Sequence, residues 1–141
     1  MSFLPLVREL VRTYQAFESV SGAHIRTLNL TPPQFDVIAT LGNQPPMTCK
    51  ILGEKTLITK GTLTGILDRL EAKGFIARLS NEDDGRSQKV TLTPEGEKLF
   101  QRVFPQHGAH LEKVFNQLSQ QEITELTNAL KKLRAAMETN S

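Results

Sequence analysis

The chain has few of the residues on which catalytic proteins depend. Its 141 residues include no tryptophan, one tyrosine, one cysteine and three histidines. The sequence also contains no phosphate loop, no glycine-flanked serine and no spaced carboxylate pair within a recognisable site. We therefore predict that the protein is not an enzyme and needs no cofactor.

Long apolar runs and a strong net charge are also absent. No stretch approaches the length of a membrane span, and the first ten residues lack a basic leader followed by an uninterrupted apolar run. We therefore expect a cytoplasmic protein without membrane contact. The net charge is +2, and all of this excess falls within residues 48–90, where eight lysines and arginines stand against six acidic residues. A hydrophobic content of 38% suffices for one core, so we expect a single domain over residues 1–141.

The segment from Met47 to Leu92 carries the clearest structural pattern. Thr48 and Thr59 each precede a helical pattern that they can cap, with apolar neighbours placed to form hydrophobic staples. Apolar residues in the second helix recur at spacings of three and four, which leaves the opposite, polar face free to meet a partner. This apolar stripe consists of Leu63, Ile66, Leu67 and Leu70. Gly74 then suits a left-handed helix stop, so the pattern predicts a helix-turn-helix.

Two β-rich segments follow the second helix. Residues 75–79 and 88–92 read as strands, and Asp84-Gly85 between them is typical of a tight turn. A hairpin in this position is a wing, and Arg86 lies near its tip. The predicted fold is mainly α with a small β-hairpin wing (α+β), and the winged helix-turn-helix lobe spans residues 31–92. Such a lobe places one helix in the major groove of DNA and its wing in the adjacent minor groove.

Two glycines interrupt the polar face of the predicted recognition helix. Gly61 and Gly65 each cost about 1 kcal/mol relative to alanine in a helix interior. Either they let the helix backbone approach DNA closely, or they are neutral substitutions on a solvated face that tolerates the loss of helix stability. The sequence leaves both explanations open.

Amphipathic helices flank the lobe. Residues 3–28 and 94–138 both place apolar side chains on one helical face, and Ser119 with Glu122 predicts a capping box at the start of the last helix. The last helix carries a narrow apolar seam formed by Ile123, Leu126, Leu130, Leu133 and Met137. A small winged lobe offers these faces no evident partner, so we predict that both regions dimerise two copies of the chain. The alternative is a helix folded back on its own domain.

Several motifs in this order resemble one known family. They include Leu67-Asp68-Arg69-Leu70-Glu71, Lys73-Gly74-Phe75-Ile76, Asp84-Gly85-Arg86-Ser87 and Leu92-Thr93-Pro94-Glu95-Gly96. These motifs resemble the MarR (multiple antibiotic resistance regulator) family of bacterial winged-helix transcription factors. The resemblance implies an obligate homodimer that binds a pseudo-palindromic operator, usually as a repressor, and that is often released by a small aromatic anion.

Polar and basic residues of the lobe are the candidates for DNA contact. Lys60, Thr62 and Thr64 can reach base edges or phosphates from the first turns of the recognition helix. Phosphate contacts are expected from three further basic residues, and the wing contact from Arg86, with Asp84 orienting it. The full predicted set is Lys55, Thr59, Lys60, Thr62, Thr64, Arg69, Asp84, Arg86 and Lys89.

Three residue sets could sense a signal, and each has a simpler structural explanation. Aromatic and apolar residues of the first two helices could line an effector pocket, or could simply be core: Tyr14, Phe17, His24, Phe35 and Ile38. Cys49 follows a helix cap and could act as a redox switch, although a lone cysteine is more often incidental. His107 and His110, with His24 or Glu18, could hold a metal, but no complete ligand set is visible and we predict no metal site.

Two alternatives to a ligand-released repressor stay open. One is a winged helix used for protein or RNA contacts, which the same fold supports. The wing discriminates between them, because Arg86 suits a minor groove whereas a protein-binding wing would expose apolar residues. The other alternative is a redox-sensing or metal-sensing regulator.

Overall fold

A computed structural model of the protein describes residues 1–80 and 88–140, apart from the side chain of Lys60. The helices are α1 (Leu4–Phe17), a π-helical segment (Glu18–Gly22), α2 (Ala23–Thr27), α3 (Pro32–Leu41), α4 (Cys49–Lys55), α5 (Lys60–Ala72), α6 (Pro94–Phe115) and α7 (Gln120–Glu138). The strands are β1 (Met47–Thr48), β2 (Ile76–Ser80) and β3 (Gln88–Leu92). Helices α4 and α5 form the helix-turn-helix and strands β2 and β3 the wing. The predicted fold class, mainly helical with a small β wing, is confirmed.

The chain comprises two compact units, Met1–His107 and Gly108–Ser141, with the boundary inside α6. The first unit contains the hydrophobic core, to which α2, α3, α4, α5, the sheet and the first turns of α6 contribute. Its largest fully buried side chains are Ile38, Leu41, Leu52, Leu67, Leu70, Ile76, Val37, Val90 and Val103. The second unit consists of the end of α6 and all of α7. No helix in the described part of the chain has the length and apolar character needed to cross a membrane.

Side-chain caps fix the starts of three helices, including the caps that the sequence predicts at Thr48 and Ser119. Thr31 and Gln34 form a reciprocal capping box at α3, and Ser119 and Glu122 form another at α7. At α4, the Ile51 backbone N–H donates to the Thr48 hydroxyl oxygen at 3.2 Å. Each of these bonds satisfies an N–H group that the helix itself leaves without a partner.

The prediction of a side-chain cap at Thr59 is wrong. Thr59 occupies the N-cap position of α5 with extended backbone angles, but among the described atoms its side chain accepts no capping hydrogen bond. Its hydroxyl instead donates to the Thr62 hydroxyl oxygen at 3.0 Å. The helix start is thus correct, while its local chemistry differs because a nearby hydroxyl competes with the backbone for the same side chain.

The single helix predicted over residues 3–28 is also corrected. The structure ends the regular α-helix at Phe17 and continues through the π-helical turn into α2, which ends at Thr27. Apolar spacing does not distinguish α-helical from π-helical turns over so few residues, and such π-helical insertions frequently occur at functional sites. Ser21 and Gly22 of this segment are buried.

The wing strands join a sheet of three strands rather than a free hairpin. β3 lies in the middle, antiparallel to both neighbours, with Met47 opposite Val90 and Ile76 opposite Leu92. The two-residue strand β1, which the sequence did not reveal, therefore fixes the start of the helix-turn-helix to the base of the wing. At the other side of the wing, Gly74 has φ of +82°, as the predicted helix stop requires.

Candidate nucleic-acid interface

The recognition helix α5 is anchored by its apolar stripe and exposes its opposite face. Leu63, Ile66, Leu67 and Leu70 are between 0% and 6% exposed. Burial of all four fixes the rotation of the helix about its axis. After Lys60, the exposed residues of α5 are Gly61, Thr62, Thr64, Gly65, Asp68, Arg69, Glu71 and Ala72. Predicted contact residues Thr62, Thr64 and Arg69 are therefore accessible to a partner.

Neither glycine of α5 is required by the packing of the chain. A Cβ built at Gly61 or at Gly65 meets no described atom within 4 Å outside the local helix backbone, and both positions are exposed. By contrast, a Cβ at Gly96 would overlap the Phe75 carbonyl. The internal reasons that usually retain glycine are thus lacking at both exposed positions. This geometry is compatible with close approach of another molecule to the two glycines, and equally with neutral substitution on a solvated face.

A carboxylate outside the helix-turn-helix holds its turn in place. The Leu57 backbone N–H donates to Asp36 Oδ2 at 3.0 Å, so α3 is tied to the turn between α4 and α5. Leu57 itself is 98% exposed. Asp36 stands in the sequence with no motif around it, and its partner is 21 residues away, so sequence reasoning did not find it.

An ion-pair cluster connects α5 to the first wing strand. Arg78 Nη2 on β2 donates to Asp68 Oδ1 at 2.8 Å, and Arg78 Nη1 lies 3.7 Å from Glu71 Oε1. The Arg78 side chain is 21% exposed, against 59% for Asp68 and 45% for Glu71. Sequence reasoning counted Arg78 only as one more positive charge. Its pairing depends on a strand and a helix meeting in space.

The other predicted DNA contacts differ in how far the structure describes them. Lys55 is exposed at the end of α4, and Thr59 is exposed at the start of α5. Lys89 is half-buried on β3, where it lies opposite Thr48 and Leu79. Three predicted contacts concern atoms outside the described part of the chain: the Lys60 side chain, Asp84 and Arg86.

A cluster of three polar side chains lies in the first unit: Ser21 and His107 are buried, and His24 is partly exposed. Ser21 Oγ lies 3.1 Å from His107 Nε2, and His107 Nδ1 lies 2.9 Å from His24 Nδ1. Phe35 meets the His107 ring edge-on, with centroids 4.7 Å apart. The two imidazoles can form this hydrogen bond only if one Nδ1 donates and the other accepts, so the tautomer of one ring sets that of the other.

This cluster contains two of the five predicted pocket residues, His24 and Phe35. Tyr14 and Phe17 are exposed on α1, and Ile38 is fully buried in the core. The prediction of a pocket lined by all five residues stays a prediction.

The remaining candidate sensors gain no ligand set. Cys49 is exposed in the first turn of α4. Among the described residues, no group of three or more histidines, cysteines and acidic side chains is placed to hold a metal ion. His110 belongs to the second unit and is partly exposed.

Together, the helix-turn-helix, the wing strands and the accessible polar face of α5 define a protein of the winged-helix DNA-binding class. Residues 30–88 match the family model described as MarR family. The uncharacterized HTH-type transcriptional regulator YkoM of Bacillus subtilis (strain 168) is 31% identical over 121 residues, which cover 84% of this chain and 79% of YkoM.

Two solved structures are also similar. A C80S mutant of MarR from E. coli, complexed with operator DNA, superposes with a TM-score of 0.82 at 27% identity and covers 94% of this chain and 95% of its own. NadR in complex with 4-hydroxyphenylacetate gives a TM-score of 0.73 at 27% identity, covering 88% of each chain. The chain belongs to the MarR family, as its sequence motifs predicted, and it is a sequence-specific DNA-binding transcriptional regulator.

Proposed function

We propose that the protein is a homodimeric repressor that binds a pseudo-palindromic operator through α5 and the wing. The observation that carries this proposal is the polar face of α5, which is exposed along its length while the opposite stripe is buried. A helix presented in this way fits the width of the major groove. Two copies related by a two-fold axis would present two such helices to one inverted repeat.

The residues of the lobe take different roles in this proposal. Thr62 and Thr64 contact base edges or phosphates, together with Lys60 at the start of the helix. The remaining basic residues contact phosphates and set the register on the duplex. These are Lys55, Arg69 and Lys89. Thr59 supports the hydroxyl of Thr62 through their 3.0 Å hydrogen bond, which leaves the Thr62 proton free to donate to DNA. In the wing, Arg86 enters the minor groove and Asp84 orients it.

Selection of DNA fragments by the purified protein, followed by footprinting, tests the proposed operator. We expect protection of an inverted repeat whose half-site centres lie about 10 base pairs apart, because one helical turn separates successive major grooves on the same face. The variant with both Thr62→Ala and Thr64→Ala should lose discrimination among sequences. A single half-site bound at full affinity would contradict the dimeric arrangement.

Unpartnered apolar side chains support the homodimer. All of α1 and α7 lies in the described part of the chain, and neither helix buries any residue within a single copy. On α7, Leu126, Leu130 and Met137 are between 51% and 54% exposed, and Leu6 and Tyr14 of α1, with Phe3 just before it, are more than half exposed. Apolar surface of this extent marks an interaction site. We assign it to a second copy, with Ile123 and Leu133 completing the seam on α7.

We also propose that a small aromatic or anionic effector releases the repressor from DNA. NadR, a structural neighbour, was crystallised with an aromatic acid. In this chain, His24 and Phe35 supply an imidazole and an aromatic ring beside His107, and Tyr14 and Phe17 supply exposed rings on α1. Ile38 would form the buried floor of the site.

Operator release by 4-hydroxyphenylacetate provides a direct test of the effector site. If the site is correct, this probe releases the parent protein from operator DNA and the His24→Ala variant resists release. Release that is equal in both proteins would place the effector elsewhere. No release by a panel of aromatic acids would remove the effector from the proposal while leaving operator binding intact.

We also propose that the protein regulates transcription in the cytoplasm and catalyses no reaction. A protein-binding winged helix is the rival interpretation, and it predicts no preference for any DNA sequence. Oxidants and added metal ions should leave operator affinity unchanged, since Cys49 has no second cysteine in the chain with which to form a disulfide and the described residues offer no assembled metal ligands.

A further inference from the structure

The acidic residues of α5 create an electrostatic difficulty for any helix that enters a DNA groove. Asp68 lies two turns after Gly61 and one turn after Thr64, so a helix of 3.6 residues per turn places it on the same exposed face. Glu71 follows one turn later at the edge of that face. Two carboxylates presented to phosphates would oppose binding, because like charges at close range repel.

Arg78 is placed to remove this difficulty. Its guanidinium contacts both carboxylates, at 2.8 Å for Asp68 and 3.7 Å for Glu71. With Arg78 present, the three groups carry a net charge of −1; without it they carry −2. The planar guanidinium has several N–H donors in a fixed arrangement, so it can hold two carboxylates at once.

The same contacts hold two DNA-binding elements together. Arg78 stands on β2 opposite Val90, a fully buried residue of β3, so its backbone belongs to the rigid base of the wing. Asp68 stands on α5, whose stripe is fixed in the core. The hydrogen bond between Arg78 and Asp68 thus joins the recognition helix to the wing at a point close to the core.

We propose that Arg78 is a positioning residue for operator binding: it neutralises Asp68 and Glu71 on the recognition helix and fixes that helix to the wing, without itself contacting DNA. This inference depends on the proposed docking of α5 in the major groove. It assigns a binding function to an ion pair that would otherwise count only toward stability. Ion pairs between partly exposed groups contribute little to stability, so the effect on DNA binding should exceed the effect on folding.

The test is a double-mutant cycle on the full-length protein with its selected operator. Arg78→Met removes the charge and keeps most of the side-chain stem, and Asp68→Asn removes the principal partner. We expect Arg78→Met to weaken operator binding about tenfold, as expected for directly coupled groups. In the Asp68→Asn background the same change should cost roughly twofold or less, because its partner is already neutral. Arg78→Lys should recover part of the loss.

Two further readouts separate this role from its competitors. If Arg78 instead contacts a phosphate, Arg78→Met weakens binding as much in the Asp68→Asn background as in the parent, and the double variant lowers the slope of log affinity against log salt by about one. If the pair is merely structural, Arg78→Met lowers the melting temperature and leaves the affinity of the folded protein unchanged. Either result overturns the proposal.

Controls distinguish failure of this inference from failure of the docking itself. Lys98→Met breaks another surface ion pair, with Glu95 at 3.3 Å on α6, and should leave operator affinity unchanged. The variant with Thr62→Ala and Thr64→Ala tests whether α5 enters the groove at all. If that variant loses sequence discrimination while Arg78→Met binds like the parent, only the role of Arg78 is wrong. If neither variant affects binding, the docking of α5 is wrong.

Discussion

Helices α5 and α7 carry the same pattern of apolar residues, but the apolar face of α5 is buried in the folded chain whereas that of α7 is exposed. Both place leucines and other apolar residues at spacings of three and four. On α5 the four stripe residues are at most 6% exposed, whereas on α7 Leu126 and Leu130 are 51% and 54% exposed. Periodicity therefore predicts that a helix has an apolar face, and it does not say which chain covers that face.

The difference between the two helices also separates two tasks. The lobe around α5 buries its stripe against α3, α4 and the sheet, so a single chain can assemble it. The apolar face of α7 has no such cover within its own unit. We infer that the DNA-reading surface is built by each copy alone, whereas α7 contributes only when two copies meet. Changes in the two helices should therefore fail in different ways.

The largest effect is expected from charges placed in the α7 seam. Replacing Leu126 and Leu130 together by Asp buries two carboxylates in the proposed interface, which costs several kcal/mol. The protein should then dissociate or unfold at concentrations where the parent is a dimer. Light scattering across a dilution series provides the measurement.

The matched control adds the same charges to the opposite face of α7. Thr124→Asp with Asn128→Asp lies on exposed positions away from the seam and should leave the dimer intact. An unchanged dimer in the Leu126 and Leu130 variant would show that the seam is not an interface. Dissociation in the control as well would mean that charge alone, rather than position, disrupts assembly.

A smaller loss is expected from a cavity in the lobe. Leu70 is fully buried, so Leu70→Ala should lower the free energy of unfolding by about 2–5 kcal/mol. Leu57 lies in the same lobe and is 98% exposed, so Leu57→Ala should change it by roughly 0.5 kcal/mol or less. Urea denaturation of both variants measures the contrast. Equal losses would mean that the burial of α5 differs in solution.

Local chemistry explains which features of the fold the sequence could predict. The capping boxes at Thr31 and Ser119 and the stripe of α5 depend on residues three or four positions apart, so their patterns are visible in one line of sequence. The two-residue strand β1 exists only because Met47 meets Val90, and the bond between His24 and His107 joins positions 83 residues apart. Contacts of this kind follow from the tertiary fold.

The candidate site divides in the same way. Exposure of Thr62, Thr64 and Arg69 follows from the burial of the opposite stripe, which the spacing predicts. The Arg78 guanidinium joins Asp68 across ten residues and two elements, and Asp36 reaches the turn at Leu57 from a separate helix. Nothing in the local sequence marks either residue as a positioning group.

The wing provides a change that should affect the operator without affecting assembly. The sequence predicts that Arg86, which follows a glycine, lies at the hairpin tip and carries charge into a narrow minor groove. Arg86→Ala should weaken operator binding by roughly 1–3 kcal/mol and lower the salt slope by about one unit. The melting temperature and the dimer should remain those of the parent. Operator titrations at several salt concentrations measure this effect. Affinity equal to that of the parent at physiological salt would favour the protein-binding interpretation of the wing.

The smallest effect is expected from acid pH, which should loosen the helix cap of α7 in the second unit and not the cap of α3 in the first. The box at α3 uses the neutral amide of Gln34, whereas the box at α7 uses the carboxylate of Glu122, which accepts from the Ser119 backbone N–H at 2.9 Å. That backbone hydrogen bond, followed by the bond to the Ser119 side chain, lowers the pKa of Glu122 below its ordinary value.

A pKa that is lower in the folded chain stabilises α7 above the unfolded pKa of Glu122, and this contribution is lost as the pH falls through the folded pKa. We therefore expect the first turn of α7 to loosen in acid while the first turn of α3 stays unchanged. Amide chemical shifts of Ser119 and Thr31, followed by NMR from neutral to acidic pH, measure the two caps separately. Glu122→Gln should abolish the acid-dependent change at Ser119, since an amide does not titrate in this range. Persistence of that change in the Gln variant would assign it to another carboxylate, and the capping box would then have no part in the pH response of α7.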